Sequence, residues 1–195
     1  NIYTLRGARV RDPLSWSKKI NEALYKFGND VEVMFTVHSW PRFGNKRIQE
    51  VMRAQRDTYA HLNNAVLHYA NKGVTINEIH NVYHLPESLK QQWAAHSYHG
   101  SEKHNSRAVI NRYLGYWDCN PATLAPLSPH ESAPLYVEMM GGAANIQARA
   151  ATLLQEGKYL LAVEILNKLV YAEPENQDAK DLLADAFEQL GYQHE

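Results

Sequence analysis

The chain has 195 residues, 45% of them hydrophobic, which is enough to bury a sizeable core in one or two domains. Lys and Arg number 20 against 21 Asp and Glu, for a net charge of -1, so no broad positive field favours nucleic acid as a partner. Apolar runs are far shorter than the roughly 20 residues that cross a bilayer, so no transmembrane segment is predicted.

Both the start of the chain and its cysteine content bear on its origin. The first residue is Asn1 and no charged-then-apolar leader follows it, so we expect a piece of a longer protein. Cys119 is the single cysteine and cannot form an internal disulfide, which leaves the compartment open. We expect Cys119 to be a buried or half-buried thiol without a catalytic role.

An amphipathic helix is predicted from Asp12-Pro13 to Gly28. Asp12 supplies an oxygen cap and Pro13 suits the first helical position. Apolar residues then recur on one face, namely Trp16, Ile20, Leu24 and Phe27.

The next segment, residues 31–37, is rich in β-branched and aromatic residues and predicts a buried strand. His38 stands directly after it, where an α/β sheet presents functional side chains. The position favours a metal ligand or a base. A hydrogen-bonded structural histidine is the alternative, because no second ligand lies nearby in sequence.

Helices dominate the remaining predictions, so the expected fold class is mainly α. A long helix is predicted over 46–71, with Gly73 as its terminator. Others are expected after the capping-box pattern Thr75-Ile76-Asn77-Glu78, over 87–93, over 104–116, from Asn120-Pro121, and after the second capping-box pattern Ser128-Pro129-His130-Glu131.

The last fifty residues or so resemble tetratricopeptide repeats in their spacing. Gly157 and Gly191 are 34 residues apart, the period of that repeat. Ala162 and Ala184 are small enough to let paired helices approach closely. An ordinary helical hairpin is the alternative interpretation.

Two further clusters carry side chains suited to a site. Arg6, Arg9 and Arg11 lie near Asn1 and Thr4, and guanidinium groups with amide and hydroxyl donors suit a tetrahedral oxyanion such as sulfate or phosphate. A solvated basic turn is the alternative.

The second cluster surrounds a glycine. Tyr98-His99-Gly100 followed by His104-Asn105 suggests the rim of a pocket or a structural cluster. The other histidines lack metal-ligand spacing and are expected at the surface or the edge of the core, namely His61, His68, His80, His84, His96 and His130.

Several strings together resemble one family. They lie at residues 1–12 (NIYTLRGARVRD), 30–41 (DVEVMFTVHSWP), 55–59, 70–78, 100–121, 167–174 and 183–195. The sequence resembles the linear alkyl sulfatases of the metallo-β-lactamase superfamily, and within them the bacterial primary-alkyl sulfatases that act on dodecyl sulfate.

The resemblance implies a division into two parts and a set of site residues. Residues 1–50 would be the end of a zinc-binding αββα catalytic domain, and residues 51–195 an all-helical dimerisation domain with a tetratricopeptide-like hairpin. His38 matches the last zinc ligand, whereas Ser39 departs from the histidine found in many relatives. The sulfate-binding segment would comprise Asn1, Ile2, Tyr3, Thr4, Leu5, Arg6 and Arg11.

The same resemblance implies that the chain is part of a zinc-dependent enzyme that hydrolyses alkyl sulfates to alcohol and sulfate. Two zinc ions would be bound in the intact subunit, with the remaining ligands before Asn1. A homodimer through residues 51–150 and a periplasmic or secreted location are expected. A non-catalytic helical protein-interaction module is the alternative function.

Overall fold

Residues 1–98 and 100–193 are described by a computed structural model, and this part of the chain is mainly helical, as predicted. It forms two compact units, Asn1–Leu124 and Ala125–Glu195. The expected division of a larger enzyme at residue 50 falls inside a helix of the first unit and stays a prediction. Within the described residues, no helix combines the length and apolar character needed to cross a membrane.

The first helix, α1, spans Pro13–Phe27 and confirms the predicted caps. Asp12 Oδ1 accepts a hydrogen bond from the Ser15 N–H at 2.9 Å, and the Gly28 N–H donates to the Leu24 carbonyl. The predicted apolar face is only partly buried, because Trp16 and Phe27 remain about half exposed. Amphipathic spacing therefore located the helix without showing how much of its face is covered.

The prediction of a buried strand over 31–37 is wrong about burial. The segment forms a hairpin of β1 (Val33–Thr36) and antiparallel β2 (Ser39–Phe43). Exposed apolar side chains lie on it, with Phe35 80% and Val37 96% exposed. A run of β-branched and aromatic residues favours an extended, buried strand, but it does not indicate which element would cover that strand. His38 accordingly lies in a tight turn rather than at the end of a buried strand.

The core of the first unit lies around the long helix α2, Asn45–Ala70, which confirms the prediction over 46–71. Shorter elements follow it: α3 (Ile79–Val82), α4 (Glu87–Lys90), a 3-10 turn (Trp93–Ala95), α5 (Glu102–Leu114) and a 3-10 turn (Pro121–Thr123). Leu62 and Val66 of α2 pack with Ile79 and with Val109 of α5. Ile2 joins this cluster and is 1% exposed, so the start of the chain is fixed on the helical core.

The second unit comprises α6 (Pro129–Met139), α7 (Ala143–Gln155), α8 (Tyr159–Ala172) and α9 (Gln177–Tyr192). The predicted capping box at the start of α6 is complete: the Ser128 side chain accepts from the Glu131 N–H, and the Glu131 carboxylate accepts from the Ser128 N–H. Its core includes Leu153, Leu166 and Leu169.

Helices α7, α8 and α9 occupy the region of the repeat-like spacing. Ala162 is fully buried, as predicted, but Ala184 is exposed, and the small residues buried on α9 are Ala179 and Ala186. The packed face of α9 is the one that carries Ala179, Leu182, Leu183 and Ala186, and Ala184 lies outside it. The tetratricopeptide interpretation stays a prediction.

Candidate functional site

The turn that carries His38 forms one wall of an apolar cleft in the first unit. This cleft, called here the large cleft, has a volume of about 520 Å³. The hairpin faces α1, α2 and the 3-10 turn across it. Its lining is mostly aliphatic and aromatic and includes Trp16, Ile20, Met34, Val51, Met52 and Trp93, with His38 and Arg42 among the polar members.

The segment 1–12 is held on helix α5 by side chains that contact its backbone. The Ile2 N–H donates to Asn105 Oδ1 at 2.9 Å, and His104 Nε2 lies 2.9 Å from the Tyr3 carbonyl oxygen. Asp12 Oδ2 lies 2.7 Å from a guanidinium nitrogen of Arg112. The segment contains no helix or strand before Pro13, so these contacts determine its path.

Between those anchors, the segment presents polar groups suited to an anion. Arg6 is exposed in a turn closed by a 3.3 Å bond from the Gly7 N–H to the Thr4 carbonyl. The Thr4 hydroxyl is buried and has no hydrogen-bond partner among the described residues. Arg11 donates to the Asn1 carbonyl at 2.8 Å. A buried hydroxyl beside cationic side chains can donate to a bound oxyanion.

A second, smaller cleft of about 200 Å³ adjoins the large cleft and is lined by Asn1. Four residues line both clefts: Gln55, Tyr59, His96 and Tyr98. Tyr98, Gly100 and Asn105 line the small cleft, as the glycine cluster suggested, whereas His99 lies outside the described residues. Asn1 of the predicted sulfate segment and His38, the predicted zinc ligand, therefore line adjoining clefts with a common wall.

Tyr59 of α2 is the titratable side chain that most clearly responds to this environment. Burial raises the pKa of its phenol above the ordinary value, and the positive charge of Arg11 acts in the opposite direction. Tyr59 thus stays protonated at neutral pH and can donate a hydrogen bond into either cleft. Its ring packs against Trp16, with centroids 5.6 Å apart.

His38 could bind a metal ion only together with ligands from other residues. The described residues contain no group of three or more His, Cys, Asp or Glu that could hold a metal ion. A catalytic zinc normally has about three protein ligands. His38 could supply one imidazole nitrogen, and further ligands would have to come from outside the described residues.

Other predictions about individual side chains have clear outcomes. The histidines expected at the surface or core edge are exposed or half-buried. Cys119 is exposed, contrary to expectation, in a loop where its own φ is +64°. That loop is organised by Asp118, which accepts from the backbone of Asn120 and the side chain of Asn77, so it turns Cys119 outward.

Two residues of the site were not predicted from the sequence. Arg42 stacks on Trp93 and lines the large cleft, and Gln55 donates to the Ala94 carbonyl from the shared wall. Arg42 lies four residues after His38, but nothing in the spacing indicates which way it turns. The contact of Gln55 spans 39 residues and has no local signal.

The end of α5 and the loop after it carry large apolar side chains at the surface. Tyr113, Tyr116 and Trp117 are exposed, as is Trp93, and Tyr59 is half-buried. All of them lie within residues 51–150, the region through which a homodimer is expected. An apolar patch of this kind marks an interaction site more often than a random surface.

Fold and site together define a mainly helical module in which Asn1, at the start of the arginine-bearing segment, and the His38 turn line adjoining clefts. The chain belongs to the alkyl sulfatase dimerisation family, which matches residues 75–195.

Similar proteins extend the likeness over the whole chain. A linear primary-alkylsulfatase from Pseudomonas sp. is 47% identical over 195 residues, which are 100% of this chain and 29% of that protein. An alkyl/aryl-sulfatase from Saccharomyces cerevisiae is 43% identical over 100% of this chain and 30% of its own length. The structure of a stereoselective inverting sec-alkylsulfatase from Pseudomonas sp. superposes with a TM-score of 0.95 at 44% identity, covering 99% of this chain and 31% of that one. The chain thus spans less than a third of the length of these relatives.

Proposed function

We propose that the chain is part of a zinc-dependent alkyl sulfatase that hydrolyses linear primary alkyl sulfates to the alcohol and sulfate. It supplies sulfate-binding residues, one zinc ligand and the dimer interface. The observation that carries the proposal is that Asn1, the first residue of the arginine-bearing segment, and His38 line adjoining clefts that share four lining residues. In an alkyl sulfate the sulfate group is directly attached to the scissile bond. Adjoining sites for the anion and for the metal therefore suit such a substrate.

Sulfate binding falls to the segment 1–11. Arg6 and Arg11 offer guanidinium donors, and the buried Thr4 hydroxyl offers a further donor. Guanidinium forks match the oxygens of a tetrahedral anion and remain charged at every relevant pH. They would stabilise the sulfate both as it binds and as negative charge builds on the leaving group.

His38 supplies an imidazole to zinc from the hairpin turn. Zinc, when bound by His38 and ligands from elsewhere in the intact enzyme, would lower the pKa of bound water and provide the nucleophile. Within this chain, the role of the hairpin is to hold the His38 ring at the edge of the large cleft. The neighbouring Arg42 adds positive charge on the same cleft, where an anionic substrate must enter.

The alkyl tail is assigned to the large cleft. Its lining is dominated by aromatic and aliphatic side chains, and its volume of about 520 Å³ falls in the usual range for small-molecule pockets. An apolar tail gains free energy by leaving water, roughly in proportion to the area buried. The polar segment and the apolar cleft therefore complement the two ends of an alkyl sulfate.

Dimerisation is assigned to the exposed apolar residues at the end of α5. The family that the chain belongs to is described by dimerisation, and a two-fold homodimer would cover Tyr116 and Trp117 in a self-complementary way. Obligate interfaces often bury more than about 2,000 Å² and are rich in apolar residues.

Hydrolysis of dodecyl sulfate tests the proposal. The intact protein that carries this chain is expected to release sulfate in a zinc-dependent reaction, whereas the 195-residue chain alone is expected to be inactive even in excess zinc, because it holds one ligand of about three. Inactivity of the intact, zinc-loaded protein would favour the helical interaction module instead. Robust hydrolysis by the isolated chain would overturn the assignment of further ligands to another part of the enzyme.

A further inference from the structure

We propose that His104 and Asn105 of α5 are positioning residues for the sulfate-binding segment. The region that the family describes by dimerisation would then also build the anion site. The inference rests on the proposed function, since it assigns a sulfate role to the segment 1–11. It concerns residues that do not themselves touch the sulfate.

The two contacts bracket the start of the segment. Asn105 Oδ1 accepts the Ile2 N–H at 2.9 Å. His104 Nε2 lies 2.9 Å from the Tyr3 carbonyl oxygen, and because a carbonyl only accepts, Nε2 must carry the proton. The imidazole can make this bond either as the neutral Nε2–H tautomer or as the cation.

The next residues of the segment are those assigned to the anion. Thr4 follows Tyr3 directly, and Arg6 lies two residues further on in a turn. A peptide backbone has only two soft dihedral angles per residue, so fixing the Tyr3 carbonyl strongly restricts where the Thr4 hydroxyl can lie. The Tyr3 ring also packs against the His104 ring, with centroids 5.7 Å apart.

Helix α5 is capped and well packed, so it can hold the segment 1–11 in a fixed position. Ser101 caps its start by accepting the His104 N–H at 3.1 Å. Ser106, Val109 and Ile110 of α5 are buried, and the last two pack in the same core cluster as Ile2 of the segment. Side chains locked on a well-packed helix hold a neighbouring segment more accurately than a loop does.

Loss of one such bond is expected to shift the segment without unfolding it. Ile2 stays buried in the core, and the ion pair of Arg112 with Asp12 at 2.7 Å holds the far end. The bonds to His104 and Asn105 therefore set the backbone position of residues 2 and 3, while the buried Ile2 side chain and the Arg112–Asp12 ion pair keep the segment on the unit.

Matched variants of the intact enzyme test the inference. His104→Met removes the N–H donor, His104→Gln keeps an N–H donor at a similar reach, and Asn105→Ala removes the acceptor of the Ile2 N–H. His68→Met is the control, since His68 is exposed on α2 and its ring contacts Tyr69 of the same helix. For each, we would measure kcat and KM with dodecyl sulfate, inhibition by inorganic sulfate, zinc content, and hydrogen exchange of residues 1–11.

The expected results distinguish a shift of the segment 1–11 from a general loss of folded structure. His104→Met and Asn105→Ala should raise KM and the sulfate inhibition constant by about three- to tenfold, as expected for one hydrogen bond. They should also speed exchange in residues 1–11 and leave the zinc content unchanged. His104→Gln and His68→Met should remain close to the wild type.

Three results would overturn the inference, each in a different way. Unchanged exchange of residues 1–11 in both His104→Met and Asn105→Ala would show that these residues do not hold the segment. Faster exchange with an unchanged sulfate inhibition constant would show that the segment is held but does not bind sulfate through this position. Inactivity of the wild-type enzyme would overturn the proposed function, and the sulfate role with it, while exchange without substrate would still report on the contacts.

Discussion

The guanidinium of Arg42 lies over the ring of Trp93, with 4.5 Å from its central carbon to the ring centroid. The same guanidinium donates to Ser39 Oγ at 3.0 Å and to the Pro41 carbonyl at 3.3 Å. Arg42 thus ties the hairpin that carries His38 to the 3-10 turn at Trp93. A two-stranded hairpin is marginally stable by itself, so this stack helps to hold the hairpin, together with the contacts of both strands with α2.

Substitution of Arg42 should therefore loosen the hairpin. A stacked cation contributes about 0.5–1 kcal/mol at exposed sites, and Arg42→Ala also removes the bond to Ser39. We expect faster hydrogen exchange over residues 33–43 and a smaller effect for Arg42→Lys, which keeps the charge. Lys26→Ala is the control, because Lys26 stacks on the adjacent Phe27 of the same helix and joins no two elements. Equal exchange in Arg42→Ala and Lys26→Ala would contradict the role of the stack.

A buried hydrogen bond between α2 and α5 should be costly to remove. The Tyr113 hydroxyl donates to Asn63 Oδ1 at 2.9 Å, and Asn63 is 1% exposed. Tyr113→Phe leaves that oxygen unpaired in the core, which should cost about 1–3 kcal/mol of unfolding free energy. Denaturant unfolding measures the effect, with Tyr25→Phe as the control because Tyr25 is 85% exposed and lies outside the expected dimer interface. Similar losses in both variants would show that the Asn63 contact is not the cause.

The capping box of α6 should make stability depend on pH in a defined direction. Hydrogen bonds from Ser128 lower the pKa of the Glu131 carboxyl below its ordinary value of 4.5. A group with a lowered folded-state pKa stabilises the fold above its unfolded pKa, and this contribution is lost as pH falls through the lowered value. Ser128→Ala should therefore destabilise the chain at pH 7, and the difference from wild type should shrink as pH falls below about 4.5. A difference that is constant from pH 7 to pH 3 would contradict the assignment.

The helical region should dimerise without the rest of the enzyme. Sedimentation of the 195-residue chain at micromolar concentration is expected to show a dimer, because its exposed apolar side chains need a partner surface. Tyr116→Asp should weaken the dimer, whereas Tyr25→Asp should not: the two tyrosines are 84% and 85% exposed, but only Tyr116 lies in the expected interface region. A monomer of correctly folded wild-type chain would contradict the dimer assignment.

Sequence reasoning succeeded where the determinants are local. The start of α1 at Asp12-Pro13 and the box at Ser128 were found because a cap and its acceptor lie within a few residues of each other. The prediction that residues 31–37 are buried was wrong, because an apolar run does not indicate which element would cover it. The contact of Ile2 with Asn105 spans 103 residues and could not be predicted from local patterns, although each residue was identified separately as part of a candidate site.

Zinc content of the intact enzyme tests the central claim most directly. The account predicts that His38→Ala loses bound zinc along with activity, while Arg6→Ala keeps its zinc and is weakened in sulfate binding, since His38 is assigned to the metal and Arg6 to the anion. His68→Ala serves as the histidine control and should keep the wild-type zinc content. Unchanged zinc stoichiometry in purified His38→Ala protein would contradict the ligand role of His38 and the account of the site that depends on it.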